Sequence, residues 1–208
     1  MEPEKEVKFL DLIRKFNRRS IRYLIIGRRA VILYGGPVLT ADSDLWIHPD
    51  DKKKTLSLLS EELGFELSYP PDTKKPIVSG YSGLRRYDLF FQRSVRNIER
   101  ETIEFEDCYI NSVIKEDPEE DIQFRIPSID DLIRLKKIRK PNVKDEQDIQ
   151  YLLKAKHLLK KWDRKKTSST SKEIEFEIKG EALLYQTGFI GFQYFTFNYI
   201  KSWPDRQK

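Results

Sequence analysis

The chain holds a single cysteine, Cys108, and only two histidines, His48 and His157. One cysteine excludes a disulfide framework and a thiolate metal cluster. Two histidines far apart in sequence give little support to a histidine metal centre or a Ser-His-Asp triad. His48, just after an apolar stretch, reads as structural or peripheral. Cys108 lies between Asp107 and Tyr109 and has no cue for a lowered thiol pKa. No apolar run approaches the roughly 18 residues of a membrane span. The opening segment Met1-Glu2-Pro3-Glu4-Lys5-Glu6 is charged and lacks the apolar stretch of a signal peptide. A cytoplasmic location with no membrane partner is therefore the expectation. No Gly-x-x-x-x-Gly-Lys-Ser/Thr loop occurs, which excludes a P-loop NTPase, and no internal repeat is visible.

What is present is charge. Charged residues make up 35% of the 208 and hydrophobic ones 38%, the balance of a soluble globular chain with one sizeable core, or one domain and an appendage. The net charge of +5 is compatible with a nucleic-acid or nucleotide partner without demanding one. The dense Lys and Glu usage also fits a thermophile surface.

Periodicity divides the chain. Phe9, Leu12, Ile13 and Phe16 recur at helical spacing within residues 7–20. Tyr23-Leu24-Ile25-Ile26 is a short apolar run ended by Gly27, the pattern of a buried strand and its turn. A helix follows from Arg28 to Tyr34, stopped by Gly35-Gly36-Pro37. Leu45-Trp46-Ile47-His48 predicts a second strand, and a helix runs from Pro49 to a C-cap at Gly64. Residues 68–83, with three prolines and two glycines, read as a loop. Arg86 to Phe91 predicts a third strand, and residues 103–114 and 122–126 further ones. Ser128 is an N-cap with acids behind it, opening a helix to about Arg139. Another helix spans Asp145 to Lys161, with Ile149, Leu152, Leu153 and Leu159 on its apolar side. Lys165 to Ser171 reads as a polar linker. Residues 173–200 are aromatic-rich: Phe195, Phe197 and Tyr199 alternate as in a strand, while a helix with Phe189, Phe192, Phe195 and Tyr199 inward stays open.

The residues with chemical potential begin with Asp42 and Asp44. Placed at i and i+2 at a strand start, they would project to one face, as in a Mg²⁺ site for phosphoryl or nucleotidyl transfer. At this density of Asp, one such pair is expected about once by chance, and two solvated acids are the competing reading. Gly27 between strand and helix would let a phosphate approach the backbone, with Arg28 and Arg29 adding charge; a plain turn with two surface arginines is the alternative. Asp88 lies in an apolar strand, where an unpaired charge is costly. Either a metal shared with Asp42 and Asp44 or a pairing with Arg85 or Arg86 would answer that. Lys136 falls inside the apolar arc set by Ile129, Leu132 and Ile133, so it snorkels or enters a site. Asp148, beside Ile149, is a first-turn acid favoured by the helix dipole or a member of the same site.

Strand–Gly27–helix, then Thr40-Ala41-Asp42-Ser43-Asp44, then Asp88, then the lysine helix is an ordered set that resembles the nucleotidyltransferase superfamily with the polymerase-β-like core. The chain looks most like its small prokaryotic members, including the nucleotidyltransferase-type toxins of abortive-infection (type IV toxin–antitoxin) systems. The segments that carry this are Tyr23 to Gly27, Thr40 to Asp44, Leu63-Gly64-Phe65, Ile129 to Lys136, Lys144-Asp145 and Asp148-Ile149. The resemblance covers about residues 8–160. Two positions depart from the family pattern: Arg28 replaces the second small residue of the Gly-Gly/Ser turn, and Val38 stands where many relatives have Arg.

The resemblance implies an α+β nucleotidyltransferase fold, a mixed β-sheet flanked by helices. The core would span residues 1–127 and the C-terminal helical part 128–164; the polar linker and aromatic-rich tail, 165–208, lie outside the resemblance. It implies that Asp42, Asp44 and Asp88 are catalytic and bind two Mg²⁺ (or Mn²⁺) ions. Gly27, Arg28, Arg29, Thr40, Lys136 and Asp148 would form the NTP site, with Lys136, Arg28 and Arg29 on the phosphates. The acceptor would be an RNA or tRNA 3′ end, a protein hydroxyl or a small molecule. Net positive charge leans toward RNA, and an antitoxin protein is the implied partner. Two rivals are a degenerate nucleotidyltransferase fold that only binds RNA, nucleotide or protein, and a homodimer joined through the aromatic tail.

Overall fold

The computed structural model describes residues 6–99, 101–139 and 142–168, the last seven of these as backbone only. The polar linker beyond Ser168, the strand or helix expected near Phe195, and the aromatic tail as a dimer surface lie outside the described residues.

Helix α1 (Phe9–Arg18) buries Phe9, Leu12, Ile13 and Phe16, the stripe that its periodicity dictates. After it come β1 (Tyr23–Ile26), α2 (Gly27–Leu33) and β2 (Ser43–Ile47). A 3-10 turn at Pro49–Asp51 leads into α3 (Lys52–Ser57), which ends in a π-turn over Leu58–Glu62. Gly64 closes this unit at φ +65°, and the Phe65 N–H donates to the Leu59 carbonyl. Strands β3 (Glu66–Leu67), β4 (Ile77–Ser82) and β5 (Arg85–Phe90) complete a five-stranded sheet of order β1-β2-β5-β4-β3. β2 and β5 are parallel and the remaining neighbours antiparallel, so the sheet is mixed.

Alternation then assigns the faces. Tyr23, Ile25, Leu45, Ile47, Tyr87 and Leu89 join the main core with α1, α2 and α3. Leu24 and Trp46 point the other way, into a smaller core with Ile103, Phe105, Cys108 and Ile138. That second face is covered by the hairpin β6 (Ser94–Arg96) and β7 (Thr102–Glu104) and by α4 (Phe105–Ile110). A second hairpin, β8 (Val113–Asp117) and β9 (Ile122–Ile126), packs beside β1 and α1. The helical part is α5 (Ile129–Lys137) and α6 (Val143–Ser168). No helix among the described residues is long and apolar enough to cross a membrane.

Four expectations need correction. Residues 68–83 are a loop only in their first half. Pro70, Pro71 and Pro76 all precede β4, and Gly80 sits within it because a Cβ there would meet Phe65 Cδ1 at 3.1 Å. Residues 103–114 are not continuous strand, since Phe105, Cys108 and Tyr109 have helical spacing and form α4 over Trp46. Leu153 is exposed, and Ala155 takes its place on the inner face of α6 with Ile149 and Leu152. That helix also continues through Ser168, four residues into the segment read as linker.

His48 is structural, as expected. It is buried against Phe105, its Nδ1 accepts the Asp50 N–H, and its Nε2 lies 2.8 Å from Glu106 Oε1. Ser128 caps α5: its Oγ accepts the Asp131 N–H and its hydroxyl donates to the Asp131 carboxylate. Ser128→Ala is expected to lower stability by about 1 kcal/mol, read as a lower urea midpoint at unchanged m-value.

Candidate active site

Register alone brings the acids together. Ile26 pairs with Asp44, and Asp44 pairs in parallel with Asp88. Registered neighbours on adjacent strands, about 4.8 Å apart, point to one face of the sheet. Asp44 and Asp88 therefore stand side by side, on the face that also carries Trp46 and Phe90. Asp42 departs from the expected geometry. β2 begins at Ser43, so Asp42 lies in the preceding loop, exposed, its carbonyl accepting the Thr40 hydroxyl at 3.4 Å.

Gly27 shows why that position carries no side chain. Its φ is +64°, and an added Cβ would lie 2.0 Å from Asp44 Oδ2. The carboxylate of Asp44 is thus seated directly on the backbone that opens α2. Burial pushes the Asp44 carboxyl up to about 6, and the negative charges of Asp88 and Asp42 push the same way; Lys136 and Arg139 oppose them. Gly27→Ala combines left-handed strain of about 1–2 kcal/mol with displacement of Asp44. A fall of several degrees in melting temperature is expected.

Asp88 pairs with Arg86, one of the two readings of its sequence. Its Oδ1 accepts the Ser79 hydroxyl at 2.6 Å and Arg86 Nε at 3.1 Å. Ser79 is a contact that sequence reasoning missed. The usable signal was the register of β4 against β5, which places Ser79 opposite Asp88. Among the described residues, no three carboxylate, imidazole or thiol side chains form a ready-made metal cluster. The donor chemistry nevertheless fits a hard divalent cation: two carboxylates in register, a third acid two residues away, and a Cβ-free backbone beneath them.

Lys136 does not snorkel. It is 7% exposed, and its Nζ donates to Asp148 Oδ2 at 2.8 Å and to Asp145 Oδ1 at 3.4 Å. Asp148 is wholly buried and also takes Arg28 Nε at 3.3 Å, while Asp145 also takes Arg139. Asp145 was missed as a site residue, although its i, i+3 spacing to Asp148 puts both on one face of α6. Arg28 bridges elements, with long contacts to the Leu39 carbonyl and Gln147 Oε1. Arg29 turns inward instead. It is 5% exposed, with its guanidinium 4.2 Å over the Phe9 ring, and burial lowers its pKa to about 10. Val38 is a core residue, 7% exposed.

No family model matches the chain, and no curated protein does. Solved structures do share its shape. The lincosamide antibiotic adenylyltransferase LnuA, with lincomycin bound, is 14% identical, with 71% of this chain and 98% of that one covered and a TM-score of 0.52. A Thermotoga maritima protein assigned as a nucleotidyltransferase is 11% identical over 74% and 89% of the two chains, with a TM-score of 0.48. The antibiotic-resistance factor ANT(2'')-Ia is 15% identical over 85% and 92%, with a TM-score of 0.45. At 14% identity the likeness to LnuA is one of fold. The chain thus has the nucleotidyltransferase fold, a mixed sheet flanked by helices, with two carboxylates in register at its β2–β5 strand pair.

Proposed function

We propose that the protein is a metal-dependent nucleotidyltransferase that moves a nucleoside monophosphate from an NTP to an acceptor hydroxyl. The observation that carries this reading is the Asp44–Asp88 pair in register, with Asp44 seated on Gly27. Asp42, Asp44 and Asp88 would hold Mg²⁺ or Mn²⁺, whose charge offsets that of the triphosphate and of the transition state. The acceptor oxygen forms a bond to the α-phosphorus as the bond from that phosphorus to the β-phosphate oxygen breaks, and pyrophosphate leaves with the electron pair. Asp88 Oδ1 is engaged by Ser79 and Arg86, which leaves Oδ2 as the atom that would take the hydroxyl proton.

Arg28 is the cation suited to the phosphates. It is half-buried, and its contacts at 3.3–3.4 Å are long enough to exchange. Lys136 and Asp148 act from behind as its support, and Thr40 orders the Asp42 loop. Net charge leans toward an RNA or tRNA 3′ end as acceptor, and the family resemblance suggests a toxin–antitoxin setting. The lincosamide acceptor named for LnuA makes a small molecule the competing acceptor. Incubation with each α-labelled NTP, Mg²⁺ and total RNA, resolved on a gel, tests this. Labelled RNA is expected with the wild type and none with Asp44→Asn; equal labelling by both would refute the assignment.

One observation favours a second reading, a fold that binds without catalysis: Asp148 already engages both Lys136 and Arg28. Under it, no NTP would yield a labelled product, and, where the ligand is RNA or a protein rather than a nucleotide, neither Mg²⁺ nor NTP would raise the melting temperature by mass action.

A further inference from the structure

At the other end of β1 from Asp44 lies a half-open cleft of about 490 Å³. Tyr23 lines it and Ile26 meets Asp44, so the two places are roughly 10 Å apart along the strand. The cleft lies between the C-terminal end of α1, the end of α4 and the β8–β9 hairpin. Its size is within the roughly 300–1,000 Å³ of small-molecule sites.

Its chemistry centres on Arg125. In β9, Phe124 points to the core while Gln123 and Arg125 point outward. The Arg125 guanidinium lies 4.5 Å over the Tyr109 ring, which itself stacks on Phe105 at 5.5 Å. Arg125 Nη1 donates to Ser112 Oγ at 2.7 Å. The guanidinium is thereby held by a cation–π contact and one hydrogen bond. Charge is the second, independent observation. The partly buried arginines Arg14, Arg22, Arg28 and Arg85 each pair with a carboxylate. Arg125 pairs with none among the described residues, and the acid on its own hairpin face, Glu116, is engaged by Gln123. An immobilised, acid-free guanidinium facing a cleft is a recognition element for an anion with a planar group. Ile114, directly opposite Arg125 in the register and 46% exposed, supplies an apolar wall beside it.

We propose that this cleft binds a nucleoside phosphate unit. The base stacks against the guanidinium plane and Ile114, and the phosphate accepts from the remaining Arg125 N–H groups. The same unit is offered by a free nucleoside monophosphate and by a single-stranded RNA. The site does not depend on the transfer reading, because it uses none of the acids at Asp44.

The test is binding in EDTA, where the carboxylate site has no metal. AMP is titrated by calorimetry, and a fluorescein-labelled single-stranded RNA hexamer by anisotropy. Saturable binding of at least one probe is expected with the wild type and with Asp44→Asn. Arg125→Met should weaken it at least tenfold, and Arg125→Lys, which keeps charge without the plane, by an intermediate factor. Binding of AMP identifies the mononucleotide as sufficient; binding of the hexamer alone identifies a strand as the source. Circular dichroism of each variant checks that it is folded, and Arg125→Lys carries the test if Arg125→Met is not. Absence of binding of both probes by the wild type, or undiminished binding by a folded Arg125 variant, overturns the proposal.

Discussion

Asp44→Asn is expected to remove nucleotide transfer and, in the same protein without metal, to raise the melting temperature. The two effects share one cause. Asp44 is held in a partly buried place beside Asp88, within reach of the charge of Asp42, and its carboxyl is raised from 3.8 to about 6. A carboxyl whose folded-state pKa exceeds its unfolded value binds its proton more tightly in the native state. Stability therefore falls as pH rises from about 4 to about 6 and stays low above that. At neutral pH the ionised group costs on the order of 2–3 kcal/mol, from a shift of about two units at 1.36 kcal/mol each. The amide carries no such charge. In EDTA at pH 7.5, Asp44→Asn should melt several degrees above the wild type, and near pH 4 the difference should vanish. With Mg²⁺ and NTP, the loss of a metal ligand is expected to cost several kcal/mol of transition-state stabilisation, at least a hundredfold in rate. A residue kept for packing would show the opposite sign of stability change.

Lys136→Met should produce the largest loss of stability. It leaves Asp145 and Asp148, both nearly inaccessible to water, without the cation between them. Removing one partner of a buried ion pair costs about 3–5 kcal/mol, because an uncompensated charge stays behind. Arg28 and Arg139 still reach these carboxylates, so the lower end of that range is expected. The double variant Lys136→Met/Asp148→Leu should recover part of the loss, since replacing a whole buried pair by apolar groups is far less costly than halving it. Urea midpoints of the single and double variants provide the measurement. If the single variant lost less than about 1 kcal/mol, the pair would be behaving as a surface pair.

Much of this was legible in the sequence for a physical reason. Local patterns that depend on one element were readable: the stripe of α1, the apolar run of β1, the Ser128 cap, and Lys136 inside an apolar arc. What depends on pairing between distant elements was not. The Pro and Gly content of residues 68–83 hid β4, whose place is set by pairing with β5 and by Phe65 over Gly80. The same pairing brings Ser79 to Asp88, which no local pattern could reveal. The Asp42–Asp44 spacing suggested two acids on one strand. The register instead joins Asp44 to Asp88 across two strands and leaves Asp42 in the loop. Arg28 and Arg29, adjacent and alike in sequence, are separated by the turn of α2, one to Asp148 and one beneath Phe9.

The central claim is that Asp44 and Asp88, with Asp42, form a divalent-metal site for a nucleotide. Titration of Mn²⁺ with a non-hydrolysable NTP, followed by electron paramagnetic resonance of the free ion, tests it most directly. Saturable binding by the wild type, lost in both Asp44→Asn and Asp88→Asn while the variants remain folded, is the expected result. Mn²⁺ binding that is absent in the wild type, or unchanged in Asp44→Asn, would contradict it.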